Sequence, residues 1–206
     1  RSNNVIPIRP EIDSDAPTSF ERGDQSELAA LTLDALGPNP MTFDAGEFWR
    51  YAPLRGIWEL VPSYVVRSTA ETFAGSPVGP KCHPLKINAS TTAGAEAIAR
   101  DRLQASPRRI MFEGAAPGIA FGNGFVTVVA GEISRLDHSA AHRARHCYPF
   151  DYDRSAARPM LESFLTELFG DCDLVEQLQR IELLQEFVGI TLIGEAPKYQ
   201  RALFLY

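Results

Sequence analysis

The sequence predicts an α+β fold, with helices at both ends and a small antiparallel sheet in the middle. Three observations carry that expectation. Leucine-rich stripes at helical spacing fill the last third of the chain, and a capped apolar stretch opens the first third. Between them, short aromatic and β-branched runs alternate with Gly/Pro turns.

Residues 1–23 hold three prolines and scattered acids without periodicity, and read as a flexible lead-in. Asp24 and Glu27 have the spacing of a capping box. Leu28, Leu31 and Leu36 follow on roughly one face, and Gly37-Pro38 stops the helix. From Phe43 the period changes. The aromatic run Phe43, Phe48, Trp49, Tyr51, the turn 53–56 and then Ile57, Trp58 and Leu60 predict a β-hairpin. A helix is expected over 63–73, a loop over 75–84 and a second helix over 91–103. Strands are expected over 109–112, 119–121 and 125–129, with Asn123-Gly124 as the turn between the last two. Leu161, Phe164, Leu165, Leu168 and Phe169 make a helical stripe that breaks at Gly170. Leu174, Leu178, Ile181, Leu184 and Val188 make another, opened by Asp173 and Glu176 and ended over 189–197. The run 201–206 reads as a buried strand.

The 206 residues are enough for one or two domains, and 45% apolar with 22% charged residues is ordinary globular composition. No run of about eighteen apolar residues exists, so no membrane partner is expected. The chain opens on Arg1 with no initiator Met and no basic leader before an apolar core, and reads as a fragment or processed form. Cys82, Cys147 and Cys172 form no CxxC pair, which points to a reducing cytoplasm. The net charge of -6 is unevenly spread. Residues 1–50 carry 4 basic and 9 acidic side chains, 51–160 carry 13 and 9, and 161–206 carry 3 and 8. A mildly basic middle between acidic ends is not the footprint of a strong autonomous nucleic-acid binder.

Few residues offer chemistry. On a helix, His138, His142 and His146 would share a face at metal-binding spacing. The HExxH glutamate is replaced by Ser139, and Arg143 and Arg145 disfavour a cation, so a solvated helix or turn is the better reading and no metal is assigned. Gly122-Asn123-Gly124 lacks the lysine and spacing of a phosphate loop. Asp151 and Asp153 lack a third ligand and read as a turn before the helix at Pro159. No GxSxG or other nucleophile signature is present, so no catalytic residue is assigned and no cofactor is expected in this chain. Arg100, Arg102, Arg108 and Arg109, joined by Arg143 and Arg145, form a basic group able to hold phosphates. Trp49, Tyr51 and Trp58 have rings that stack on bases, but their strand spacing favours a core role.

The motifs in combination are more specific. Phe48-Trp49-Arg50-Tyr51 with Gly56-Ile57-Trp58 is followed by Phe121-Gly122-Asn123-Gly124-Phe125-Val126, Gly131-Glu132 and Tyr148-Pro149-Phe150-Asp151-Tyr152-Asp153. Ala157-Arg158-Pro159, Phe164-Leu165, Phe169-Gly170-Asp171 and Phe204-Leu205-Tyr206 complete the order. The pattern, over about 24–206, resembles the poxvirus-type primase-helicase N-terminal-like domain of phage and plasmid DNA primases. It departs at Thr127, where the family has an acid, and at Arg154, where it has proline.

The resemblance implies a lead-in over 1–23, a connector domain over 24–198 and, at 199–206, the first strand of an ATPase domain truncated just before its Walker loop. It implies a non-catalytic connector or collar in DNA replication, between a primase and a superfamily 3 helicase of the same polypeptide. ATP and Mg would belong to that helicase, single-stranded DNA would be a partner, and the full-length protein would be a homo-oligomer. The alternative is a purely structural oligomerisation domain without DNA contact.

Overall fold

A computed structural model describes residues 19–199 of the chain. The expected strand over 201–206 and the lead-in up to residue 18 lie outside the described residues. The fold is α+β, and it forms two compact units. The first comprises 19–52 and 58–112, the second 53–57 and 113–199.

In the first unit, helix α1 spans Gln25–Ala35. The Asp24 carboxylate accepts from Glu27 N at 2.8 Å, while the Glu27 carboxylate accepts from the N–H groups of Glu21, Arg22 and Gly23. Burial works against the charged Glu27, yet these three backbone donors hold its pKa below the usual carboxylate range. The helix ends at Gly37, with φ of +110°, and Arg50 Nη1 donates to the terminal Leu36 carbonyl at 2.9 Å.

Strands β1 (Met41–Asp44) and β2 (Glu47–Ala52) form an antiparallel hairpin, and β3 (Ile57–Val61) flanks β2 in the same sheet. Helix α2 (Ser63–Glu71) follows, then the two-residue ribbon of β4 (Pro77–Val78) and β5 (His83–Pro84) within the expected loop. Helix α3 spans Ala89–Ala105, capped by the Asn88 side chain on Thr91 N. Its buried face is made of small residues, Ala95 and Ala99, so α1 and α2 pack close against it. Phe20, Leu28, Phe43, Phe48, Val66 and Phe73 fill the core between these elements.

The sequence predicts a strand over 109–112, and none forms there. Ile110 instead exchanges two hydrogen bonds with the Thr42 hydroxyl, and Phe112 N donates to the Asp44 carboxylate at 3.0 Å. Side chains of β1, not its main chain, hold this segment.

The second unit is built on a four-stranded sheet of order β8-β7-β6-β9. Strands β6 (Ile119–Phe121), β7 (Gly124–Val129) and β8 (Glu132–Leu136) form an antiparallel meander, and β9 (Cys147–Tyr148) adds in parallel beside β6. The sheet expected in the middle of the chain is therefore divided between the units. Helix α4 (Pro159–Leu168) starts on the predicted proline and turns Leu165 and Phe169 inward.

Helix α5 spans Leu174–Leu192, with Asp173 accepting from Val175 N and Glu176 N as its spacing predicts. It ends at Leu192, within the expected stretch 189–197, and Ile190 and Ile193 there line an apolar cavity. A last turn, α6, covers Ala196–Tyr199. Among the described residues, no helix is long and apolar enough to cross a membrane.

Candidate functional site

The residues most exposed for their chemistry lie along one edge of the second unit's sheet. Tyr148, Phe150 and Tyr152 stand two residues apart, Tyr148 at the end of β9 and the other two in the irregular segment after it. Phe121, the last residue of β6, pairs in register with Tyr148. Its ring sits 5.7 Å from Tyr148 in a stacked arrangement, 5.7 Å from Phe150 and 5.6 Å from Tyr152, and Tyr148 lies 5.6 Å from Phe150. Phe121 is thus the hub of a four-ring platform. Phe121 and Tyr152 are half-buried, whereas Tyr148 and Phe150 remain 42% and 57% exposed. Single exposed apolar side chains are common, but rings grouped on one patch mark a contact surface.

Backbone and amide bonds fix the platform. Gly122 N donates to Phe150 O at 2.9 Å. Asn123 Nδ2 donates to Tyr152 O at 3.0 Å, and Tyr152 N donates back to Asn123 Oδ1 at 2.9 Å. One amide side chain therefore satisfies both main-chain groups of Tyr152, an arrangement that no shorter or aliphatic residue reproduces. Arg135 Nη1 donates to the Asn123 carbonyl at 2.9 Å. A Cβ on Gly122 would approach Asp151 Oδ1 to 2.8 Å, so a larger residue there would displace the Asp151 carboxylate. The stretches 121–126 and 148–153, separate in the sequence, meet through these contacts.

The predicted basic residues are divided between the units. Arg100, Arg102, Arg108 and Arg109 belong to the first unit, and Arg143 and Arg145 to the second. Arg100 Nε lies 3.3 Å from Asp101, Arg102 Nη2 donates to Ser26 Oγ at 2.6 Å, and Arg109 Nη2 lies 3.3 Å from Asp44. Arg143, at φ of +58°, donates to the Glu113 carbonyl at 3.0 Å. Arg108 and Arg145 are exposed. Exposed ion pairs such as Arg100 with Asp101 contribute little, so a phosphate readily exchanges for them.

The three histidines do not share a helix face. Ala140–His142 is a single 3-10 turn that ends at left-handed Arg143. The ring of His142 stacks on Phe125 at 4.2 Å, and His138 Nε2 lies 3.4 Å from Gly122 O. Among the described residues, no group of three or more His, Cys, Asp or Glu is placed to hold a metal ion. Asp153 accepts from Ser155 Oγ and N, and these bonds lower its pKa. That is the turn before α4 which its spacing suggests. The Cys147 thiol is pushed up by burial and partly drawn back by Arg55.

Trp58 and Tyr51 are buried at 1% and 7% exposure, and Trp49 is half-buried against Phe112. They pack in the first unit, as their strand spacing favours. Sequence reasoning misses the platform as a site because its rings belong to separate motifs. Their period-two alternation is the available signal.

A cavity of about 380 Å³ lies beside the platform in the same unit. Phe121 and Tyr152 belong to its wall, with Ile119, Val126, Ile190 and Ile193. No family model and no curated protein matches this chain.

Proposed function

We propose that this chain is a non-catalytic connector of a phage- or plasmid-type primase-helicase acting in cytoplasmic DNA replication, and that its platform guides single-stranded DNA. The observation that carries the reading is the aromatic platform, in which exposed Tyr148 and Phe150 lie against Phe121 while Asn123 holds the neighbouring Tyr152 by both its main-chain groups. Aromatic faces accept any base, and each stacked base contributes about 1–3 kcal/mol. Arginines elsewhere on the chain supply phosphate contacts that are weak singly and add when several chains share one strand. The order of motifs that resembles the primase-helicase domain supplies the biological setting. There the helicase domain of the full-length protein would use ATP and Mg, and the primase domain would lie on the other side.

Fluorescence anisotropy of a labelled oligothymidylate tests this at low and physiological salt. Binding is expected to weaken steeply with salt. Alanine at Arg100, Arg102, Arg108 and Arg109 should reduce both the affinity and the salt slope, the slope by up to about 0.7 for each phosphate that is no longer neutralised. Absence of binding at low salt by folded protein would sink the DNA-guiding role. A second reading, a structural connector without DNA contact, draws on the acidic, apolar surface of α4 and α5. That stretch, 159–195, carries eight acidic side chains and a single basic one, Arg180.

A further inference from the structure

The cavity beside the platform is a space built between one helix face and one sheet face. Ile119 pairs with Val126 and Val128 with Ile133, so these four wall residues stand on the same side of the sheet. Glu186, Gly189, Ile190 and Ile193 recur at spacings of three, one and three and form the facing strip of α5 and its cap. Gly118 N, just before β6, donates to Ile193 O at 3.2 Å and ties the end of the helix to the sheet. At about 380 Å³ the space falls in the range of small-ligand sites, about 300–1,000 Å³.

Gly189 shows that the chain's own packing leaves this space open. A glycine inside a helix is unfavourable, yet a Cβ here would meet no atom within 4 Å. No close contact among the described residues calls for glycine, whereas a larger residue would narrow the cavity. Val128, Ile133 and Leu192, also in the wall, remain 48%, 51% and 50% exposed.

The few polar groups of the wall indicate what a ligand must carry. The Thr127 hydroxyl already donates to the Pro117 carbonyl. The Glu186 carboxylate and the Tyr152 hydroxyl have no hydrogen-bond or ion-pair partner among the described residues. Glu182, one turn earlier on α5, is exposed and likewise without one. The nearby cations are engaged: Arg180 with Glu176 at 2.7 Å, Lys198 with Glu195 at 2.6 Å, and Arg135 with the Asn123 carbonyl. The charge left over beside the cavity is therefore negative.

We propose that this cavity binds a small amphiphilic amine, with its apolar body between α5 and the sheet and its ammonium group on Glu186 and the Tyr152 ring. A charge-assisted bond to a carboxylate is stronger than a neutral one, and an aromatic face attracts a cation. A fatty acid of the same size would set carboxylate against carboxylate. The proposal goes beyond the connector reading and does not rest on it.

Isothermal titration calorimetry of the 206-residue chain with octylammonium, octanol and octanoate, each below its micellar concentration, tests this. The three share a tail and differ in the head. Octylammonium is expected to bind one to one, at least about tenfold tighter than octanol, with octanoate weakest. Glu186→Gln, at an exposed position, should bring octylammonium to the affinity of octanol and leave octanol unchanged. Gly189→Leu should abolish binding of both while raising the thermal midpoint, because leucine fills the space and suits the helix better.

A parent chain that binds neither octylammonium nor octanol overturns the proposal. Equal affinity for the three heads, or the parent's selectivity in Glu186→Gln, overturns the cationic class. Binding that survives Gly189→Leu places the amphiphile elsewhere on the surface and overturns the site. No oligonucleotide enters the titration, so the cavity and the DNA-guiding platform stand or fall separately.

Discussion

Replacing Trp58 with alanine is expected to lower the stability of the protein by about 3–5 kcal/mol, the range for truncating a large buried aromatic side chain. Trp58 is 1% exposed, and its ring lies 5.7 Å from Tyr51 and 6.1 Å from Phe112. Alanine removes the centre of that cluster and leaves a void that β3 cannot close without moving the sheet. Against a typical total of about 5–15 kcal/mol, the loss is a large fraction. Urea denaturation measures it as a drop in midpoint at similar slope. The same variant separates two uses of the ring. A packing residue loses stability in proportion to its burial, whereas a base-stacking residue would lose oligonucleotide affinity with the midpoint unmoved.

Asn123→Ala is expected to cost about 2–4 kcal/mol. It removes two hydrogen bonds and leaves both main-chain groups of Tyr152 without their partner. The effect should be local as well as global. Tyr152 would no longer be held against Phe121, and the near-UV circular dichroism of the ring ladder should weaken even in conditions where the variant remains folded. Asn123→Asp keeps the acceptor but turns a second oxygen towards the Tyr152 carbonyl, so it should not restore the clamp. An Asn123→Ala variant with the parent's midpoint and ring spectrum would show that the clamp does not organise the platform.

Helix starts are legible in the sequence because their signals are local and stereochemical. Asp24 with Glu27, Asp173 with Glu176, and Pro159 each sit where a cap or first turn needs them. Two strands are not legible, for a shared reason. β1 joins β2 through Ala45-Gly46, and β7 joins β8 through Ala130-Gly131. Both alanines adopt positive φ, at +52° and +51°. Tight hairpins of this kind usually announce themselves with Asn-Gly or Asp-Gly, and alanine in the left-handed region gives no such signal. The aromatic run from Phe43 to Tyr51 therefore looks continuous, and the polar β8 goes unseen.

The end of α5, expected over 189–197, comes at Leu192, with left-handed Gly194 at φ of +80° just beyond its cap, while Gly189 stays inside the helix at a cost of about 1 kcal/mol. The platform is half legible. Its residues stand in two separate motifs, and only the fold shows that one amide joins them.

The most direct test of DNA guiding is the affinity of a labelled oligothymidylate for the Tyr148→Ala/Phe150→Ala variant, beside the parent at one fixed salt concentration. Both rings are partly exposed, so the variant should keep its fold, as the denaturation midpoint will show. If bases stack on this ladder, the paired substitution should weaken binding by at least about tenfold, the equivalent of about 1.4 kcal/mol, with the salt slope nearly unchanged. Equal affinity for parent and variant would contradict the platform as the DNA-guiding site.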